Sequence, residues 1–144
     1  MAGMPPLDTA PQVQPATREE WRAWLEANHA NATGAWLVTW RRRSGRTPLE
    51  YEAAIEEALC FGWVDGQAAP LDDERGKLYF APRRRGSPWA TSNKARVERL
   101  LATGRMAPAG ISAVERAKAD GSWTVFDSAA RLEEPPALAA ALDA

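Results

Sequence analysis

At 144 residues, 45% of them apolar, the chain is long enough to bury one core, and no apolar run approaches the roughly 20 residues a membrane helix needs. A net charge of −1 argues against wholesale coating of nucleic acid, though not against a local basic patch. Cys60 is the only cysteine, which excludes an internal disulfide and favours a cytosolic setting.

Residues Met1 to Ala16 contain four prolines among scattered polar residues, with neither a basic n-region nor an apolar h-region. They read as a disordered N-terminal tail rather than a secretory signal, followed by a single domain over 17–144. Order is predicted to begin at Thr17, where Thr17 and Glu20 form a capping box. The helix continues with Trp21, Trp24, Leu25 and Asn28 on one face and ends between His29 and Gly34. His29 is the only histidine, and a histidine in a last turn reads as a dipole partner before it reads as a base. No metal-ligand cluster exists, because neither His29 nor Cys60 has a His or Cys companion.

Ala35 to Arg43 reads as a central or covered strand with Trp36, Val38 and Trp40 on one face. Thr47-Pro48-Leu49-Glu50 reads as a second capping box. It leads into a helix with Tyr51, Ile55 and Leu59 inward, an acidic outer surface from Glu50, Glu52, Glu56 and Glu57, and a stop at Gly62. Cys60, at the carboxyl end of that helix, reads as core rather than nucleophile, because the dipole there disfavours a thiolate. Trp63 to Ala68 and Lys77 to Ala81 are predicted to pair as an antiparallel hairpin, with Asp65, Gln67 and Tyr79 lining one surface. Pro82 ends the second of these strands. The next helix is capped by Ser87 before Pro88, or by Ser92, and turns Val97, Leu100 and Leu101 inward and Arg96 and Arg99 outward. A further helix carries Ile111 and Val114 inward and stops at Gly121. Trp123, Val125 and Phe126 form a short apolar piece, Glu133 to Pro136 break the chain, and Ala137 to Leu142 add a last helical turn or two.

The stretch from Cys60 to Asn93 concentrates the chemistry. Between Arg75 and Arg105 stand nine basic residues and one acid, Glu98, so this segment is +8 while the remainder of the chain carries −9. Such asymmetry points to an anionic partner or to an internal acidic neighbour. Arg83, Arg84, Arg85, Ser87, Trp89, Asn93 and Lys94 gather guanidinium groups, a helix start and a stacking ring into one candidate ligand-binding segment. Asp65, Gln67 and Tyr79 join them as candidate ligand-binding residues, or else form a polar network that fixes register. Trp89 reads equally as a core anchor. No Gly-rich phosphate loop is present, since GWVDGQ lacks both the spacing and the following helix.

Four ordered blocks, EALCFGWVDGQ, FAPRRRGSPWATSNKARVERL, GRMAPAG and AKADGSW, resemble the bacterial YdeI/OmpD-associated family, also labelled bacteriocin-protection proteins, over Arg18 to Leu142. The resemblance implies a fold loosely like the YjbR/CyaY α+β domains and an association with a porin or with resistance to antimicrobial peptides. It carries over no catalytic residue and no cofactor. The chain lacks an export signal, which speaks against a periplasmic role, and it reads as a C-terminally short version of longer members that continue into a basic helical tail.

The expected architecture is α+β: a small, mainly antiparallel sheet of three or four strands covered by four or five helices. The expected function is a cytoplasmic binding or stress-resistance domain that recognises an anionic small molecule or macromolecular partner, with no catalytic constellation, metal or cofactor. Two other classes compete. An enzyme would use Asp65 as acid or base and arginines to hold its substrate, and a pocket converging on Asp65, Tyr79 and Arg83 would favour it. A nucleic-acid binder would use the basic 75–105 segment, with the acidic remainder counting against it.

Overall fold

The computed structural model describes residues 9–125. Strand β1 (Gln12–Val13) leads to helix α1 (Arg18–Asn28), strand β2 (Ala35–Trp40), helix α2 (Tyr51–Cys60), strands β3 (Trp63–Pro70) and β4 (Arg75–Pro82), and helices α3 (Thr91–Ala102) and α4 (Pro108–Asp120). The sheet order is β1-β2-β4-β3; β1 runs parallel to β2, and every other pair is antiparallel. Among the described residues, four α-helices with a four-stranded, mostly antiparallel sheet make the α+β fold that the sequence predicts.

The two faces of the sheet do different work. Ala35, Leu37, Trp63 and Phe80 point to the helices and join one core with Trp21 and Leu25 of α1, Ile55 and Leu59 of α2, Val97 and Leu100 of α3, and Val114 of α4. Helix α2 is the hub, touching α1, α3, α4 and β3. The opposite face carries Trp36, Val38 and Trp40 beside Arg75, Lys77 and Tyr79, as the strict alternation of paired strands requires. There Trp36 and Tyr79 meet edge-on at 5.3 Å, and the Lys77 ammonium stands 4.2 Å over the Trp36 ring.

Local signals fix most boundaries. Thr17 Oγ1 accepts from Glu20 N at 3.2 Å, and Glu20 reaches back to Ala16 N at 2.8 Å. Phe61 and Gly62 end α2, with Gly62 at φ +78. Cys60 is buried, and burial pushes its thiol pKa up, in keeping with a core residue. His29 Nδ1 lies 2.7 Å from the Leu25 carbonyl, to which it donates as a C-terminal partner of α1.

Several expectations are corrected. The predicted disordered tail contains β1. Trp36 N donates to Pro11 O at 2.8 Å, Val13 pairs with Leu37, and Pro15 is buried. Prolines flank this strand without harm because it lies at the sheet edge. Met1 to Asp8, Phe126 and the elements expected over 133–142 fall outside the described residues. Strand β2 stops at Trp40, before a 3-10 turn over Arg42–Ser44. Helix α2 starts at Tyr51 without a side-chain cap, because Thr39 Oγ1 takes the Leu49 N–H at 2.8 Å and holds the Thr47–Glu50 segment against β2. Helix α3 starts at Thr91, and neither Ser87 nor Ser92 caps it. Arg96 is buried at 7% exposure while Leu101 is 42% exposed, the reverse of the predicted facing. Ile111 is also exposed. Glu57, predicted on an acidic surface, is fully buried.

Candidate functional site

Pro82 has no N–H to continue the ladder, so β4 ends there and Arg83 N makes a last bond to Gly62 O at 3.0 Å. The chain then turns. Ser87 N and Ser87 Oγ both donate to Arg84 O, at 3.2 and 2.8 Å. Gly86 sits at φ +78, the third position of a type II turn, where a side chain is disfavoured. Beyond Pro88, Trp89 enters the core at 2% exposure and packs 4.9 Å from Trp123. Trp89 is therefore a core anchor with one face left for a cation.

Arg83 takes that face. Its guanidinium carbon lies 3.9 Å from the Trp89 ring centroid, and its Nη2 donates to Ser87 O, Ser87 Oγ and Pro88 O at 3.3, 3.1 and 2.9 Å. The side chain is half-buried, and burial pulls its pKa down with no described carboxylate pulling it back. Its Nε and Nη1 make no hydrogen bond to a described group, and neither is sealed from solvent. A half-desolvated cation with unspent donors is an anion site in waiting, since the cost of its burial is not yet offset by an opposite charge.

Arg83 borders a cleft of about 350 Å³ on the sheet face of Tyr79. Val64, Gly66, Tyr79 and Ala81 of the β3–β4 hairpin supply its floor, and the segment from Pro82 to Pro88 supplies a wall. A second cavity of about 20 Å³, room for roughly one water, lies behind the turn among Arg83, Arg85, Trp89 and Arg116.

Of the ten predicted site residues, Asp65, Tyr79, Arg83, Arg84 and Ser87 border the cleft, Arg85 borders the smaller cavity, and Trp89 lies under Arg83. Three lie elsewhere. Asn93 Oδ1 accepts from Arg96 at 2.8 Å, Lys94 Nζ donates to the Trp123 carbonyl at 3.0 Å, and Gln67 is exposed on β3. The predicted shared surface of Asp65, Gln67 and Tyr79 is corrected as well. Asp65 pairs with Phe80 and Ala68 with Leu78, so β3 takes three steps where β4 takes two. This bulge breaks the alternation on which the prediction relied. Asp65 shares the helix-side face of Phe80, and its carboxylate accepts from Tyr51 Oη at 2.9 Å. Burial and the adjacent Asp65 push the Tyr51 pKa up to about 12.

The charge asymmetry divides in two. Glu52 takes Arg96 through two hydrogen bonds of 2.9 and 3.0 Å and Arg99 at 3.3 Å, Glu57 takes Arg105 at 2.6 Å, and Asp72 takes Arg75 at 2.8 Å. These cations have an internal acidic neighbour; Arg83 has no such ion pair among the described residues. Reasoning from the sequence missed the buried Glu57, held by Arg18 at 2.6 Å and Arg22 at 2.9 Å. The only local signal was the four-residue spacing of those two arginines, which sets them on one face of α1. It also missed Gly66 in the cleft floor.

Among the described residues, no group of His, Cys, Asp and Glu is placed to hold a metal ion, and no helix is long and apolar enough to cross a membrane. The model of a domain family of unknown function, DUF8412, matches residues 13–113. No curated protein and no solved structure matches the chain.

Proposed function

The chain belongs to the DUF8412 family, whose description assigns no activity, and from the cleft we propose that it is a binding domain for an anionic group, seated on Arg83. The observation that carries this reading is the half-buried Arg83 guanidinium, clamped on Trp89 and on two carbonyls of its own turn, with two nitrogens unspent and no ion pair to a carboxylate among the described residues. Its orientation is fixed before any ligand arrives, which lowers the entropic cost of binding. The resemblance of the sequence blocks to the YdeI/OmpD-associated family fits a cytoplasmic binding or stress-resistance role for such a site.

The cleft does border Asp65, Tyr79 and Arg83, the convergence that would favour an enzyme. Against that reading, an enzyme needs the Asp65 carboxylate free as acid or base, and here it is tied to Tyr51 on the helix side of the sheet. A nucleic-acid surface needs a row of unmatched cations, and Arg75, Arg96, Arg99 and Arg105 are matched by the chain's own acids.

The test is an amide NMR titration with inorganic phosphate. Shifts are expected at Gly66, Arg83 and Ser87 in the parent protein and are expected to vanish in Arg83→Gln. That variant removes the charge and keeps a polar amide side chain. Parent and variant spectra that respond alike would overturn the proposal, as would a parent that does not respond.

A further inference from the structure

The cleft is more than a cation. Its floor is built from Val64, Gly66, Ala81 and Tyr79, with Pro82 and Pro88 at the wall and Asp65, held by Tyr51 Oη at 2.9 Å, at its border. Gly66 is the informative member. Its φ is not positive, and a Cβ built on it would meet only Tyr79 O at 3.8 Å and Tyr79 Cδ2 at 3.9 Å, ordinary contacts. Neither backbone conformation nor crowding calls for glycine there. What the missing side chain leaves is space over the edge of the Tyr79 ring, on the same side as Val64 and Ala81 and within a cavity that opens on Arg83.

Resting on the anion-binding reading above, we propose that the ligand is a small amphipathic anion: a compact oxyanion head on the Nε and Nη1 of Arg83 and a flat apolar body over Gly66 and Tyr79. A cavity of about 350 Å³ lies at the small end of the range for small-molecule sites, about 300–1,000 Å³. Such sites are lined mainly by apolar groups with a few placed polar ones, as here. One fixed guanidinium suits one anionic head. A polyanion would draw on several cations in a row, and Arg75, Arg96 and Arg105 of the basic segment are already spent on Asp72, Glu52 and Glu57.

The test compares phenyl phosphate and benzoate with inorganic phosphate, acetate, benzyl alcohol and a 20-nucleotide oligothymidylate, by NMR titration of the full chain. Both aryl anions are expected to bind at least tenfold tighter than their bare counterparts, and the neutral alcohol to leave Arg83 unmoved. The stronger of the two aryl anions identifies the head as phosphate or carboxylate. Gly66→Leu is expected to weaken the aryl anions at least tenfold, more than it weakens inorganic phosphate, and to melt like the parent. Aryl anions no tighter than phosphate and acetate would overturn the amphipathic ligand while leaving the anion site standing. Oligothymidylate binding more tightly than phenyl phosphate would overturn it too, in favour of a polyanion. No response to any anion would remove the anion site itself.

Discussion

Gly66 and Gly110 carry the same residue type for opposite reasons, and the difference is measurable. Gly110 lies on α4 where it crosses the end of α2, and a Cβ there would fall on the Cys60 carbonyl carbon and oxygen and on the Leu59 carbonyl oxygen. These are backbone atoms of a buried helix end, and Ala107 N also bonds to Cys60 O at 3.0 Å, so the neighbours have nowhere to go. Gly110→Ala is expected to cost about 1–3 kcal/mol through forced separation of the two helices, read as a lower urea midpoint. A variant as stable as the parent would mean that α4 does not approach α2 this closely. Gly66→Ala, by contrast, is expected to stay within about 0.5 kcal/mol of the parent in the same experiment, because its Cβ meets only ordinary contacts.

At the level of elements, β1 is only two residues long, yet it closes the edge of β2. Pro11 O takes the Trp36 N–H, Val13 packs against the core, and Gln14 Oε1 accepts from Arg75 at 2.8 Å. Deleting residues 1–14 is therefore expected to lower the melting temperature by several degrees, the shift that about 1–2 kcal/mol produces in a domain of this size. Deletion of residues 1–8 alone removes none of these contacts and serves as the control. Equal melting temperatures for the two truncations would show that β1 contributes nothing. Gly62→Ala belongs at this scale as well. The left-handed φ of +78 and the Ala109 carbonyl 3.3 Å from a built Cβ both oppose a side chain, and a loss of about 1 kcal/mol is expected. What was legible in the sequence was local. Thr17 and Glu20 announce α1, Gly62 and Gly121 announce helix ends, and alternation finds β2 and β4, because each depends on residues a few positions apart. What was illegible depended on distant partners. A Pro-flanked dipeptide becomes a strand only when β2 is beside it. Leu49 misses the helix only because the Thr39 hydroxyl claims its N–H. The bulge between Asp65 and Ala68 shows only in the register with β4, so alternation along β3 alone could not show that Asp65 leaves the face of Tyr79.

Across the whole molecule, one buried carboxylate ties together elements that the sheet does not join. Glu57, on α2, is fully buried and accepts from Arg18 and Arg22 of α1 and from Arg105 of the α3–α4 connection, at 2.8, 2.9 and 2.6 Å. Arg22 also donates to the Arg105 carbonyl at 2.8 Å, which closes the cluster. Burial alone pushes the Glu57 pKa up, but the hydrogen bonds from Arg22, Arg18 and Arg105 outweigh it and hold the carboxyl below its ordinary value of 4.5. A carboxyl depressed in the folded state stabilises the fold at pH values above its unfolded pKa. That stabilisation is lost as the pH falls through the lower, folded value. Stability is thus expected to hold from pH 7 to about 5 and then to fall on acidification, in part as Glu57 takes up a proton among three guanidinium groups. Glu57→Gln should remove this component and lower stability at pH 7. Breaking a wholly buried pair costs about 3–5 kcal/mol, and because all three arginines reach solvent, about 3 kcal/mol is the expected loss. Melting temperatures from pH 7 to pH 3 decide the matter. The parent curve should descend more steeply than that of Glu57→Gln below pH 4.5, so that the two approach each other in acid. Parallel curves would show that Glu57 is not the group whose protonation loosens the fold, and would leave Glu52, whose carboxyl Arg96 also holds low, as the next candidate.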